Sequence, residues 1–199
     1  RQMCIRDRHR DQFFKKSKTL GYRSRASFKL IELDKKFKFI KKNTNLLDLG
    51  SCPGGWSQVA SKIITKGKIL AIDIKEMESI PNVKFLKSDI LEKDTKETVI
   101  KFFKNQLDVI ISDMAADTTG NKSLDSIRTN QLCADIIEFS QKTLKPKGVL
   151  ISKLFMGDDF IEVKNLAKSR FKKVNFFKPE SSRNESKETY LHCEILKPL

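Results

Sequence analysis

The chain is short of the residues that staple a fold or hold a metal. Among 199 residues there are four cysteines and two histidines. Cys4, Cys52, Cys133 and Cys193 form no C-x-x-C pair, and His9 and His192 do not complete a zinc pattern with them. They read as reduced thiols, which points to the cytoplasm, and no metal is expected. No apolar run approaches the roughly 18 residues that a membrane span needs. A signal-peptide pattern is also lacking, so no membrane partner is expected. Acidic residues are scarce relative to basic ones: 25 Asp+Glu against 40 Lys+Arg, a formal net charge of +15. Such an excess favours a polyanionic partner, nucleic acid before a membrane surface. Most of the basic residues are lysines in a chain also rich in Ile, Asn and Phe, a bias that an AT-rich genome produces as well.

Glycine is sparse too, at eight residues. Three of the eight fall within residues 46–56, LLDLGSCPGGW. Leu46, Leu47 and Leu49 read as a short apolar strand ended by Gly50. Pro53, Gly54 and Gly55 read as a turn, and Trp56 opens a helical run with Val59, Ile63 and Ile64 on one face. A glycine turn between strand and helix brings a ligand close to the backbone and aims free N–H groups at it. The Walker loop is excluded, because no Gly-Lys-Ser/Thr follows. The dinucleotide pattern G-x-G-x-x-G is excluded as well, because Pro53 interrupts it and the spacing differs.

Residues 1–10 are basic and unlike the rest. Residues 1–23 are expected to be a basic, partly flexible arm, and 24–199 a single domain. Ser24 can cap a helix with Ala26, Leu30, Leu33 and Phe37 on one face, and Lys29 lies off that stripe. Strands are expected at 46–49, 68–74, 83–86, 107–112, 149–155, 171–177 and 190–196. Helices are expected at 56–65, 95–104, 124–144 and 158–170, the long one stopped by Pro146 and Gly148. This alternation, with central strands apolar on both faces, predicts an α/β fold: a mostly parallel sheet covered by helices on both sides. Ligands bind at the carboxyl ends of such strands. Gly50, Asp73, Asp89 and Asp113 all fall at those ends. Asp73, 23 residues after Gly50, suits ribose hydroxyls. Lys153 stands inside the apolar stretch ISKLF, where a lysine needs either a carboxylate partner or a use as a base.

Five stretches, GYRSRASFKL, LLDLGSCPGGWSQ, ISDMA, ISKLFMG and PESSRNESKETY, together resemble the FtsJ-like (RrmJ-type) RNA 2′-O-ribose methyltransferases. They come in family order, and the resemblance covers essentially residues 11–196. The resemblance implies a Rossmann-like methyltransferase fold with a seven-stranded sheet and S-adenosyl-L-methionine as cofactor. It implies a Lys-Asp-Lys-Glu tetrad at Lys29, Asp113, Lys153 and Glu188. Cofactor contacts are implied at Gly54, Trp56, Asp73, Asp89 and Asp113, with Asp89 toward the adenine amino group. The implied substrate is a uridine ribose of large-subunit ribosomal RNA, met by a monomer within the large ribosomal subunit. The chain departs from the family at Ala116-Asp117, where Pro-Asn is usual, and at Cys52 and Ser27. The first change adds a negative charge where RNA is expected to pass.

The tetrad makes chemical sense. A ribose hydroxyl is a poor nucleophile at neutral pH and needs a base as it attacks. Two neighbouring lysines repel, which makes the neutral form of one easier to reach, and the carboxylates orient them. Arg8, Arg10, Lys15, Lys16, Lys18, Arg23 and Arg25 are expected to form a phosphate-holding arm beside Lys29. Transfer RNA or a messenger cap would use the same tetrad. Two readings from other classes are a non-catalytic RNA-binding module and a nicotinamide-dependent dehydrogenase. The complete tetrad argues against the first, and the Pro53 turn against the second.

Overall fold

The computed structural model describes residues 12–104, 106–157, 159–183 and 185–198. The readings made on residues 1–10, Arg8 and Arg10 among them, lie outside the described residues. The described chain runs α1 (Gln12–Thr19), α2 (Ala26–Phe37), β1 (Leu46–Leu49), α3 (Gly55–Ile63), β2 (Ile69–Asp73), β3 (Val83–Lys87), α4 (Lys93–Phe103), β4 (Leu107–Ser112), α5 (Lys122–Thr143), β5 (Leu144–Phe155), α6 (Phe160–Arg170), β6 (Phe171–Phe177) and β7 (Glu188–Leu196).

The seven strands form one sheet in the order β3-β2-β1-β4-β5-β7-β6. Neighbours from β3 to β5 pair in parallel. β7 is antiparallel to both β5 and β6, between which it is inserted. The sheet is therefore mixed, and mostly parallel as expected. The order reverses between β1 and β4, the place where α/β sheets open a crevice at their carboxyl edge.

Side chains alternate across each strand, so the sheet carries a core on each face. On one face Leu47, Leu49, Leu70, Ile72 and Ile110 pack against Val99 and Phe103 of α4 and Ile136 and Ile137 of α5. On the other, Leu46, Ile69, Val109, Ile111 and Ile151 meet Leu30 and Leu33 of α2 and Val59 and Ala60 of α3. Leu46, Leu47 and Leu49 are wholly buried. Each contributes about 1.5–3 kcal/mol of burial free energy. No described helix is long and apolar enough to cross a membrane.

Two local expectations need correcting. Ser24 does not cap α2: the cap position is Arg25, with no side-chain cap bond. The Ser24 hydroxyl is buried against Gly55 instead, where a Cβ would stand 2.2 Å from its oxygen. Pro146 and Gly148 do not end α5 either. That helix stops at Thr143, and both residues lie inside β5, whose register with β4 shifts between Leu107 and Val109. At the other end Asn121 caps α5, its side chain accepting the N–H groups of Ser123 and Leu124. α1 meets α2 through the Phe13 ring, 5.5 Å from that of Phe28.

Gly50 joins β1 to the turn with φ +71°, and a Cβ there would stand 2.5 Å from Met114 Cγ and 3.1 Å from Met114 Cα. Gly50 thus leaves no room for a side chain against Met114, just past the end of β4. Gly50→Ala is expected to lower unfolding stability by about 1–3 kcal/mol, through positive-φ strain and this clash. Urea denaturation monitored by fluorescence checks it; an unchanged midpoint would remove the constraint.

Candidate active site

Three strands and one helix bring the charged residues together. Asp113 follows β4 directly. Lys153 on β5 pairs in register with Tyr190 on β7, and Phe155 with Glu188. Alternation then puts Lys153, Tyr190 and Glu188 on one face of the sheet. α2 covers that face and brings Lys29. Lys153 Nζ lies 2.6 Å from Asp113 Oδ1 and donates to the Asp113 backbone carbonyl at 2.8 Å. Tyr190 Oη donates to Asp113 Oδ1 at 2.6 Å. Lys29 Nζ stands 2.6 Å from Glu188 Oε1, an oxygen that also accepts the Ser182 hydroxyl at 2.8 Å. The Lys29 ammonium sits 5.7 Å from the centre of the Tyr190 ring. Lys29, Lys153 and Glu188 are all buried.

Burial by itself would raise the Asp113 carboxyl. The charges of Lys153 and Lys29, with the hydrogen bonds from Lys153 and Tyr190, outweigh it and hold the group below its ordinary value. Tyr190 moves the other way: burial, then the charges of Asp113 and Glu188, push its phenol well above the usual value. It therefore stays a proton donor to Asp113. Sequence reasoning does not single out Tyr190. Its place in SKETY, two residues past Glu188 and so on the same strand face, is the available signal.

Beside this cluster, across Asp113, opens a cavity of about 430 Å³ lined by Gly50, Asp73, Ile74, Asp89, Ile90, Leu91, Asp113 and Met114 among others. Asp73 is anchored by backbone: its two oxygens accept N–H groups from Cys52 and Lys75, each at 2.8 Å. Asp89 accepts from Leu91 N at 2.8 Å. Asp73, Asp89 and Asp113 thus share this cavity, as expected from their strand ends. Gly54 and Trp56 are not among its lining residues. Gly54, at φ +105°, faces Ile80, Arg23 and Met77. Trp56 is buried, its indole N–H donating to Ala26 O at 2.7 Å and its ring tilted against Tyr190. The tryptophan braces α2 against the sheet, because a buried indole needs an acceptor and α2 offers one.

Of the arginines expected in the basic arm, Arg23 and Arg25 hold backbone carbonyls. The Arg23 guanidinium donates to the carbonyls of Pro53, Glu78 and Ser79, which ties the glycine turn to the loop after β2. Arg25 donates to Ser181 O. Lys15, Lys16 and Lys18 remain exposed on α1. Spacing cannot separate an arginine that holds carbonyls from one that holds phosphates.

A doubly wound, mostly parallel sheet with an acidic cavity at its switch point and an inserted antiparallel β7 defines the methyltransferase form of the Rossmann-like fold. The FtsJ-like methyltransferase family matches residues 22–195, and the chain belongs to that family. It is 42% identical over 193 residues to a ribosomal RNA large subunit methyltransferase E from Pelagibacter ubique, covering 97% of this chain and 95% of the relative. It is 45% identical to the protein so named in Rickettsia akari, covering 94% and 85%. The crystal structure of a putative ribosomal RNA methyltransferase from Plasmodium falciparum superposes with a TM-score of 0.78 at 34% identity, over 88% of this chain and 98% of that one. Human methyltransferase-like protein 13, solved with SAH, shares the fold at TM-score 0.58 and 18% identity, over 85% and 79%.

Under the glycine turn lies a carboxyl of another kind. Asp48 is 1% exposed and accepts the Ser57 hydroxyl at 2.6 Å. Burial pushes its carboxyl up to about 7, with Asp113 and Asp73 adding to the rise and Ser57 opposing it. The folded value lies above the unfolded one of about 3.9. The stability this group contributes is therefore complete below about pH 4 and lost as pH rises through about 7. Asp48→Asn is expected to flatten the decline of stability with pH over that window. Urea midpoints from pH 4 to 8 measure it; a decline as steep as in the parent chain would assign it to another group.

Proposed function

We propose that this methyltransferase places a methyl group on a ribose 2′-hydroxyl of large-subunit ribosomal RNA, acting as a monomer in the cytoplasm. Its methyl donor is S-adenosylmethionine, and the chemistry of the cavity suits that cofactor. Asp73 and Asp89 offer carboxylate oxygens to ribose hydroxyls and to the adenine amino group. Ile74, Ile90 and Leu91 offer apolar walls for the base. Gly50, Cys52 and Met114 line the same cavity as Asp113 and are left for the methionine part. Gly54 and Trp56 belong to this reading by shaping the turn and the start of α3 behind the cavity. Bound, the cofactor supplies an electrophilic methyl group on a sulfonium sulfur.

One observation carries the assignment of the base. Among the described residues, Lys153 Nζ has two acceptors, Asp113 Oδ1 and Asp113 O. Once the ammonium has given up a proton, the amine keeps two N–H bonds, one for each of these acceptors. Its lone pair is then left for a third partner, the incoming 2′-hydroxyl proton. Asp113 holds the amine in that orientation, with Tyr190 donating to the same carboxylate oxygen. Lys29, paired with Glu188, supplies positive charge beside the oxygen as it gives up its proton. Most of the rate comes from this positioning, because the methyl donor is already activated.

The substrate is the part of the reading that the relatives' names support: those from Pelagibacter ubique and Rickettsia akari are both large-subunit ribosomal RNA methyltransferases. The exposed lysines of α1 suit phosphates of a folded RNA. Residues 24–199 act as the catalytic domain, with α1 as part of its RNA-facing surface. The test is transfer from labelled S-adenosylmethionine to purified large subunits and to free ribosomal RNA, with the modified nucleotide mapped by mass spectrometry. Label on transfer RNA or on capped RNA only would overturn the substrate assignment.

Lys153→Ala is expected to lower single-turnover transfer by about 10²–10⁴-fold, the usual contribution of a general base. Cofactor affinity by calorimetry should change little. Lys153→Arg should be nearly as slow, since guanidinium does not give up its proton. An arginine variant that keeps most of its rate would make Lys153 an electrostatic positioner only.

Replacing Lys15, Lys16 and Lys18 together by Ala should weaken RNA binding and flatten its salt dependence, by roughly 0.7–0.9 in slope for each phosphate the lysines hold. Cofactor affinity should not move. A salt slope equal to that of the parent chain would mean that α1 touches no phosphate.

A further inference from the structure

We propose that Glu32, together with Arg25, is a positioning residue that sets the Lys29–Glu188 pair; this rests on the catalytic reading of that pair given above. Arg25, Lys29 and Glu32 are spaced four and three residues apart, so they share one face at the start of α2. That face meets the turn at residues 179–182. The Glu32 carboxylate spends both oxygens there: Oε2 accepts Glu180 N at 2.6 Å and Oε1 accepts Ser181 N at 3.1 Å. Arg25 Nη2 donates to the Ser181 carbonyl. Ser181 is thus gripped at its N–H by one α2 side chain and at its C=O by another. It is wholly buried, and Ser182 is 5% exposed.

The grip leads directly to the pair. Ser182 Oγ donates to Glu188 Oε1 at 2.8 Å, and the same oxygen takes Lys29 Nζ at 2.6 Å. The path closes on itself: α2 holds the turn, the turn holds Glu188, and Glu188 holds a lysine of α2. Glu32 lies one helical turn beyond Lys29 and does not touch the pair. A carboxylate is required, because two backbone donors face it from the same side. An amide has a single acceptor oxygen, and its NH₂ would point at a donor. Glu and Gln have similar helix propensity, so Glu32→Gln leaves α2 intact.

The experiment is single-turnover transfer by Glu32→Gln, Glu188→Gln and the double variant, with thermal melting to confirm folding. Glu32→Gln is expected to slow transfer by about tenfold or more, as misplacement of catalytic groups does, and to leave KM for S-adenosylmethionine unchanged. In the Glu188→Gln background the same change should cost almost nothing, because Glu32 acts only through that residue. A second variant, Arg25→Lys, loses the forked donor and should show the same non-additivity, so the conclusion does not hang on one substitution. A slowed Glu188→Gln enzyme beside a full-rate Glu32→Gln enzyme would overturn the latch. Losses that multiply in the double variant would overturn it too, since a general loss of stability behaves that way. A Glu188→Gln enzyme at full rate would overturn the catalytic reading of the pair itself, and the latch's part in catalysis with it.

Discussion

The carboxylate of Asp113 is the constraint on which the rest of the site depends. It is largely buried, and a buried charge that lost its partner would cost about 3–5 kcal/mol. Lys153 and Tyr190 answer it from two strands, at 2.6 Å each. This explains why an antiparallel strand stands between β5 and β6. Tyr190 pairs opposite Lys153 only because β7 runs back along β5. A parallel strand would need a crossover and would meet β5 in another register. Desolvation that a lone ion could not bear is met by a network of paired charges and hydrogen bonds.

α2 is the second organising element. It buries Leu30 and Leu33 against the sheet, receives the Trp56 indole at Ala26, and carries Lys29 to Glu188. The basic residues before and at its start divide by task. Arg23 and Arg25 hold backbone carbonyls of two loops that flank the site, and the lysines of α1 face solvent. Residues 12–25 are thus part of the scaffold as well as a candidate RNA surface. The cavity and the charged cluster meet at one residue, Asp113, which lines the first and anchors the second. A group transferred between two ligands needs such a shared wall, since the reacting atoms must approach to roughly 3–3.5 Å.

Much of this was legible in the sequence. Strand and helix alternate with the right periods, so six of the strand spans and all the helix spans expected there lie within a few residues of those observed, and the remaining strand, β5, is longer only at its irregular start. The glycine turn after β1 and the carboxylates at strand ends follow from local chemistry and chain direction: Gly50 must take a positive φ, and side chains just past a parallel strand face one edge. Lys153 stood out because a lysine in an apolar strand requires a partner. Three dimensions alone decided who that partner is. Asp113, Lys153, Tyr190 and Glu188 are brought together by strand order and by the antiparallel register of β7, neither of which a one-dimensional pattern contains. For the same reason Trp56 and Gly54 read as cavity residues in the sequence, while packing turned one toward α2 and the other toward Arg23. The sequence determines which groups need partners; the sheet's order and register determine which partners they meet.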